Sequence, residues 1–62
     1  MKNYTIKERR TTTQMGWSYD YFVYVKGKDI GRFEMLADAK IFCDVDAKKA
    51  HQTASIIIEK MN

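Results

Sequence analysis

Residues 17–26, with the sequence WSYDYFVYVK, alternate between two sets of side chains and predict a β-strand. Aromatic and β-branched residues favour strands, and successive strand side chains point to opposite faces. The first face carries Trp17, Tyr19, Tyr21, Val23 and Val25, and the second carries Ser18, Asp20, Phe22, Tyr24 and Lys26. A chain of 62 residues covers one such face with a helix but hardly both. The second aromatic face is therefore expected to meet solvent or a partner.

Two more segments extend this strand into a three-stranded antiparallel sheet. The predicted strands span about residues 3–9, 17–26 and 28–33. Lys26 and Gly27 form the predicted hairpin turn between the last two strands, because glycine accepts a positive φ without steric cost. This turn places Val23 opposite Ile30, and Gly31 then marks a β-bulge.

The first strand differs in pattern from the segment that follows it. Tyr4 and Ile6 alternate with polar residues and are expected to face the core. Residues 10–16 contain three threonines and a glycine, which indicate a connecting loop or the frayed end of a hairpin. The first strand is therefore predicted to end near residue 9.

The rest of the chain, about residues 36–61, has a helical pattern. Small and apolar side chains recur at intervals of three and four residues, as one side of a helix requires. They are Leu36, Ala39, Phe42 and Cys43, followed by Ala47, Ala50, Ala54, Ile57 and Met61. We expect one long helix, or two consecutive helices with a break near residues 44–46, where Asp44 or Asp46 caps the second. The three isoleucines at residues 56–58 also suit a strand, but the alanine seam that runs into them favours the helix.

These elements predict an α+β fold in a single domain over residues 1–62, with the sheet packed on the C-terminal helix or helices. An unbroken helix over residues 36–61 would be about 39 Å long, which is longer than a three-stranded sheet is wide. The overhanging part favours another helix as its neighbour. The pattern is therefore compatible with a homodimer through the C-terminal helix.

Composition argues against several classes of protein. The chain has one cysteine, Cys43, and one histidine, His51, which rule out an intramolecular disulfide and a four-ligand Cys/His zinc site. The first residues are polar, and no apolar run approaches the roughly 20 residues that span a bilayer. A lone thiol also suits a reducing compartment. We expect a cytoplasmic protein with no membrane partner, no metal and no cofactor.

The candidate catalytic groups lack the neighbours that catalysis needs. His51 has no cysteine or carboxylate motif around it and is expected on a helix surface. Cys43 lies on the apolar side of the helical segment, where a free cysteine behaves as a small hydrophobe without an activating base. Asp44 and Asp46 are two residues apart and point in different directions on a helix. The sequence therefore indicates a protein that is not an enzyme.

Positive charge is concentrated in the predicted sheet. Residues 1–33 carry seven Lys and Arg against three Asp and Glu, whereas residues 34–62 carry four against five. A basic sheet suggests an anionic partner. Alternatively, lysines at strand edges only prevent edge-to-edge aggregation.

One face of the predicted sheet combines basic and aromatic side chains. The candidate binding residues are Lys7, Arg9, Phe22, Tyr24, Lys26, Lys28 and Arg32. Cations pair with phosphates while rings stack on bases, and a β-ribbon also fits the major groove of duplex DNA. In the alternative interpretation, Phe22 and Tyr24 pack under residues 10–16 or against a second subunit. Aromatic residues and arginine are also typical of protein–protein hot spots.

Residues 21–33, YFVYVKGKDIGRF, followed by LADAK at 36–40, resemble the strand–turn–strand–helix core of two related groups of DNA-binding domains. These groups are the arm-type domains of phage integrases and the ethylene-response-factor domains of plants, and the similarity covers about residues 17–43. The resemblance implies a three-stranded sheet that lies in the major groove and is backed by one helix. It places Arg9, Tyr24, Lys26, Lys28 and Arg32 toward the groove or the phosphates. This chain has few arginines on its strands and a longer helical tail than those domains.

Two functions of different class are therefore expected. In the first, the protein is an accessory factor of a phage or mobile element that binds nucleic acid through its sheet. In the second, it is a stoichiometric inhibitor or adaptor of phage type that binds a protein, for example a host or defence nucleic-acid enzyme, and is dimeric or monomeric. A dimer-forming structural module is a third interpretation. Binding that collapses as salt rises would distinguish the first from the second.

Overall fold

The computed structural model describes residues 1–61 and contains four strands and one helix in the described residues. The elements are β1 (Lys2–Thr13), β2 (Gly16–Val25), β3 (Lys28–Phe33), α1 (Leu36–Lys49) and β4 (Ala54–Met61). The strands form one sheet in the order β3-β2-β1-β4. Neighbouring strands β1, β2 and β3 are antiparallel, and β4 runs parallel to β1. The fold is α+β as predicted, but the prediction of a three-stranded sheet on a C-terminal helix is wrong, because the last described element is a strand.

The helix α1 ends at Lys49 because the next residues form a C-terminal cap. The amide of His51 donates to the carbonyl of Lys48 at 2.9 Å, and the amide of Gln52 donates to the carbonyl of Ala47 at 2.9 Å. This pair of hydrogen bonds is the Schellman motif, in which the residue after the helix adopts the left-handed conformation. His51 takes that position with φ 56°. Glycine usually fills this position, and without a glycine the end of the helix has no recognisable signal in the sequence.

Residues 54–61 form a strand and not the end of a helix. Lys2 pairs with Ala54 and Arg9 pairs with Met61. The whole of β4 therefore lies beside residues 2–9 of β1. The β-branched isoleucines at 56–58 suit this extended conformation. The C-terminal helix through which a homodimer was predicted is therefore replaced by a strand over residues 54–61.

The first strand is longer than predicted. β1 continues through the three threonines to Thr13, which pairs with Gly16 of β2. Threonine is β-branched and favours strands, so the segment 10–13 is a strand and not a loop. Only Gln14 and Met15 connect β1 to β2.

The turn between β2 and β3 is confirmed. Lys26 has φ 52° and Gly27 has φ 78°, and Val25 pairs with Lys28 on either side of them. Two consecutive positive φ values define a type I′ turn, whose twist matches that of the strands it joins. Glycine at the second position accepts this conformation without a Cβ clash.

A β-bulge follows the turn, one residue earlier than predicted. Val23 pairs with Gly31 and not with Ile30, which is the extra residue of the bulge. Gly31 leaves room for two rings, because a Cβ built there would lie 3.2 Å from the ring of Phe33 and 3.6 Å from that of Phe42. These two rings pack against each other with centroids 5.2 Å apart.

The core lies between the sheet and α1. Its buried residues are Tyr4, Ile6 and Val23 from the sheet and Ala39, Cys43 and Ala47 from the helix. The inward positions predicted for Tyr4, Ile6 and Val23 are confirmed. Small side chains on the buried side of α1 let its backbone approach the sheet closely.

A polar cluster at one end of the core joins β1 to α1. The carboxylate of Asp46 accepts hydrogen bonds from Lys2 Nζ at 2.8 Å and from the Tyr4 hydroxyl. These two hydrogen bonds hold the pKa of Asp46 below its ordinary value. The hydrogen bond from Lys2 to Asp46 raises the pKa of Lys2. Burial, followed by the separate hydrogen bond from the Tyr4 hydroxyl to Asp46, raises the pKa of Tyr4. Asp44 and Asp46 both lie inside α1, so the prediction that one of them caps a second helix is wrong.

The helix covers only part of one side of the sheet. Its 14 residues span about 21 Å, whereas the 12 residues of β1 span about 40 Å. The described chain is accordingly elongated, with extents of 44 × 18 × 14 Å. Within residues 1–61, no helix combines the length and the apolar character needed to cross a membrane.

Candidate nucleic-acid interface

The side of the sheet that faces away from α1 is here called the outer face. Its rows follow from the strand register, because residues directly opposite each other share a face. Lys7 pairs with Phe22, which pairs in turn with Arg32, and these positions alternate with the buried Ile6 and Val23. Five of the seven predicted binding residues lie on this face, namely Lys7, Arg9, Phe22, Tyr24 and Arg32.

The other two predicted residues do not join them. Lys26 lies in the turn between β2 and β3, and Lys28 begins β3. Lys28 pairs with Val25, whose position alternates with that of the outer-face residue Tyr24. Lys26, which was predicted on the outer face, therefore lies in the turn, and Lys28, which the resemblance placed toward the groove or the phosphates, lies beside it at the same end of the sheet.

Cations lie over the rings of the outer face. Lys7 Nζ is 4.6 Å from the ring centroid of Tyr24, and Arg9 Cζ is 5.0 Å from that of Phe22. Both distances are within the range of cation–π attraction. Phe22 and Tyr24 are consequently half-buried, partly shielded by the arms of their own cations and still accessible from solvent.

The positive charge of the outer face is partly balanced. Asp20 accepts a hydrogen bond from Arg9 Nη2 at 3.1 Å and lies 3.7 Å from Arg32 Nε. Glu59 of β4 lies opposite Lys7 in the strand register and so shares this face. Two carboxylates therefore stand among three cations, and the field of this face is weaker than the composition of residues 1–33 indicated.

The paired strands β1 and β2 extend beyond the rest of the molecule. β3 ends opposite Tyr21 and β4 ends opposite Arg9, so residues 10–13 and 16–19 pair only with each other. This two-stranded segment, residues 10–19, is here called the projecting ribbon. Almost all of it is exposed, with Met15 at its tip 99% exposed. A ribbon of this kind presents both of its sides to solvent.

The side of the projecting ribbon that would face α1, if the helix were longer, carries a second aromatic surface. Arg10 Cζ lies 5.4 Å from the ring centroid of Trp17, which is 62% exposed. The rings of Tyr19 and Tyr21 are stacked, with centroids 6.4 Å apart. The hydroxyl of Tyr21 donates to Glu8 at 3.0 Å, and burial followed by this bond raises the pKa of Tyr21.

Sequence reasoning missed Arg10, Trp17 and Tyr19 as candidate binding residues. It assigned Trp17 and Tyr19 to the face of Val23 correctly, but assumed that the helix covers all of that face. The length of β2 indicates that a short helix cannot cover the whole face, because its ten residues span about 33 Å. A helix that ends at a cap near residue 50 is too short to reach the tip of such a strand.

Two further reactive side chains, Cys43 and His51, lie in the core and at the end of α1. Cys43 is buried, and burial raises the pKa of its thiol to about 11. His51 is exposed beyond the end of α1, where its role is in the cap. Within residues 1–61, no group of three His, Cys, Asp or Glu side chains comes together as a metal site would require.

Comparison with known proteins finds no matching family model, no matching curated protein and no matching solved structure.

Proposed function

We propose that this protein binds nucleic acid through the projecting ribbon and the adjoining outer face, as an accessory factor of a phage or mobile element. The observation that carries the proposal is the repeated pairing of an accessible ring with a cation. Three such pairs, Lys7–Tyr24, Arg9–Phe22 and Arg10–Trp17, occupy neighbouring positions on β1 and β2. Each pair offers a stacking surface and a charge for a phosphate in the same place.

The shape of the ribbon supports the same function. Two strands that project alone fit within the major groove of duplex DNA, which is about 12 Å wide. The pairs lie on both sides of the strands, since Arg9 and Arg10 alternate, so both walls of a groove could be contacted. Exposed rings alternatively stack on single-stranded bases, with about 1–3 kcal/mol per base. The resemblance to three-stranded-sheet DNA-binding domains over residues 17–43 is in keeping with this mode.

Titration of the intrinsic fluorescence tests the proposal directly. Trp17 is the single tryptophan of the chain, so its quenching by an oligonucleotide reports contact at the projecting ribbon. We expect quenching at low salt by single-stranded or duplex DNA. The affinity should fall by roughly twenty- to fortyfold for a fourfold rise in salt if about three phosphates are contacted. An absence of binding at low salt would refute the proposal.

Charge-matched variants locate the contact. Arg9→Ala and Arg10→Ala should each weaken binding and lower the salt slope by about one phosphate contact. Tyr24→Ala should weaken binding without changing the slope. Lys40→Ala removes the same charge from the exposed side of α1 and should leave affinity unchanged. Equal losses for Lys40→Ala and Arg9→Ala would show only a nonspecific charge effect.

A second candidate function is binding to a protein, as a stoichiometric inhibitor or adaptor. It is favoured by Met15, which stands fully exposed at the ribbon tip, and by the two carboxylates among the outer-face cations. Apolar and aromatic tips fill pockets of protein partners. In that case Trp17 would be unaffected by DNA, and Met15→Ser would abolish capture of the protein partner while Met35→Ser, at another exposed methionine, would not.

A further inference from the structure

We infer that the free edge of β4 pairs with β4 of a second copy of this chain, which joins two sheets into one continuous antiparallel sheet. β4 is an edge strand, bonded to β1 on one side. Unpaired backbone N–H and C=O groups on an exposed edge are a template for another strand. The inference concerns a surface separate from the projecting ribbon and does not depend on the proposed function.

The first five residues of β4 lack the features by which edge strands avoid pairing, and charges appear only at Glu59 and Lys60 near its end. Such strands are usually short, kinked by bulges, or interrupted by charges and prolines. β4 has eight residues, and its pairing with β1 is regular along its length. Its first five residues, Ala54 to Ile58, carry no charge, and the chain contains no proline.

Isoleucine side chains stand exposed on both sides of this strand. Ile57 lies on the outer face and is 61% exposed, and Ile58 lies on the side of α1 and is 44% exposed. A neighbouring strand would cover parts of both, because cross-strand neighbours lie about 4.5–5.5 Å apart between Cβ atoms.

The sequence of β4 is self-complementary in one register. If two copies pair antiparallel about Ile57, each Ile56 faces Ile58 of the partner and the two Ile57 residues face each other. Ser55 then faces Glu59, and Ala54 faces Lys60. No like charges are opposed, and all six isoleucines lie opposite isoleucines.

Neighbouring registers are worse. Moving the axis to Ile58 places Ile57 opposite Glu59 and Ile56 opposite Lys60. Moving it to Glu59 places the two Glu59 side chains opposite each other, which is destabilising. The register about Ile57 also gives roughly six new backbone hydrogen bonds between the copies.

Light scattering or sedimentation across micromolar to millimolar protein concentration tests the inference. We expect a dimer in the wild-type protein and a dissociation constant at least about a hundredfold higher for Ile57→Lys. The matched control is Ile41→Lys on α1, where the isoleucine is 58% exposed, and its dissociation constant should stay within about threefold of wild type. Circular dichroism confirms that both variants fold.

A wild-type protein that is monomeric throughout this range would overturn the inference, as would equal weakening by Ile41→Lys. Oxidative cross-linking then tests the register. Ile57→Cys should form a disulfide-linked dimer, because only position 57 faces itself across the axis. Ser55→Cys should not cross-link, and efficient cross-linking at position 55 would contradict the proposed pairing.

Discussion

Two ends of the same strand, β2, have opposite surroundings. Val23 is wholly buried under α1, whereas Tyr19 and Trp17, on the same face of the strand, lie beyond the reach of the helix. The alternation of side chains is identical at both ends. The difference shows that alternation determines which face a residue joins, while the length of the covering helix determines whether that face is core or surface.

Under the proposed function, this division separates stability from binding within one hairpin. The covered end holds the core residues and the polar cluster of Lys2, Tyr4 and Asp46. The projecting ribbon contributes no fully buried residue. Substitutions in the ribbon should therefore change binding with little effect on folding, and substitutions under the helix should do the reverse.

The largest expected effect on stability is seen by comparing substitutions to aspartate at two positions on the same face of β2. Val23→Asp buries a charge without a partner and should cost about 3–5 kcal/mol, which is about the whole stability of so small a domain. Tyr19→Asp, four residues earlier, should change the free energy of unfolding by no more than about 1 kcal/mol. Urea denaturation measures both. A Val23→Asp protein as stable as wild type would show that the covered end is not the core.

Thiol reactivity should differ sharply between the two ends. Cys43 is buried with a pKa of about 11, so it should react with a disulfide reagent roughly two to three orders of magnitude more slowly than an exposed thiol. A cysteine placed in the projecting ribbon by Ser18→Cys, on a Cys43→Ala background, should react at the rate of a free peptide. Similar rates at the two positions would remove the distinction.

Acid should weaken the covered end through Asp46. Its pKa is lower in the folded protein than in the unfolded chain, because Lys2 and Tyr4 donate hydrogen bonds to the carboxylate. The stabilisation is therefore present above the unfolded pKa of about 4 and is lost as pH falls through the folded pKa. When the pH is lowered below about 4, we expect the urea midpoint of the wild-type protein to decrease. The decrease should be smaller in Asp46→Asn. Lys2 acts in the opposite range, since its raised pKa means that its contribution is lost at strongly alkaline pH.

The smallest expected effect is a gain in stability. His51 holds a positive φ at the end of α1, and glycine adopts this conformation without steric cost. His51→Gly should stabilise the protein by about 1 kcal/mol, measured as a higher urea midpoint. The same substitution at His51 should leave oligonucleotide affinity unchanged, because the cap lies away from the projecting ribbon. A destabilised variant would show that the imidazole makes a contact that matters more than the backbone conformation.

Much of the first half of the fold could be predicted from local rules. The aromatic alternation of β2, the turn at Lys26–Gly27 and the inward faces of Tyr4 and Ile6 all follow from side-chain geometry within a few residues. The same rules grouped Lys7 and Arg9 with Phe22 and Tyr24 on the outer face. Local pattern was sufficient for these features because each depends on residues close together in the chain, whereas the two-residue connection between β1 and β2 was predicted as a longer loop.

The prediction for residues 50–61 failed because two local signals in the sequence conflicted. Ala47, Ala50, Ala54 and Ile57 keep helical spacing, although the chain leaves the helix at His51. Neither glycine nor proline marks this exit, and only the backbone hydrogen bonds of the cap show it. The pairing of β4 with β1 is long-range, so no spacing within residues 54–61 could reveal it. Tertiary pairing decided between two conformations that both fit isoleucine.

The position of β1 in the middle of the sheet has a consequence for how the molecule is assembled. Its partner β4 is about fifty residues away along the chain, so their pairing requires the closure of a long loop, with an entropic cost that local hairpins do not carry. The β1–β2 and β2–β3 hairpins have no such delay. We therefore expect a folding nucleus in these hairpins and late docking of β4, which gives the protein a slower folding rate than its length alone suggests.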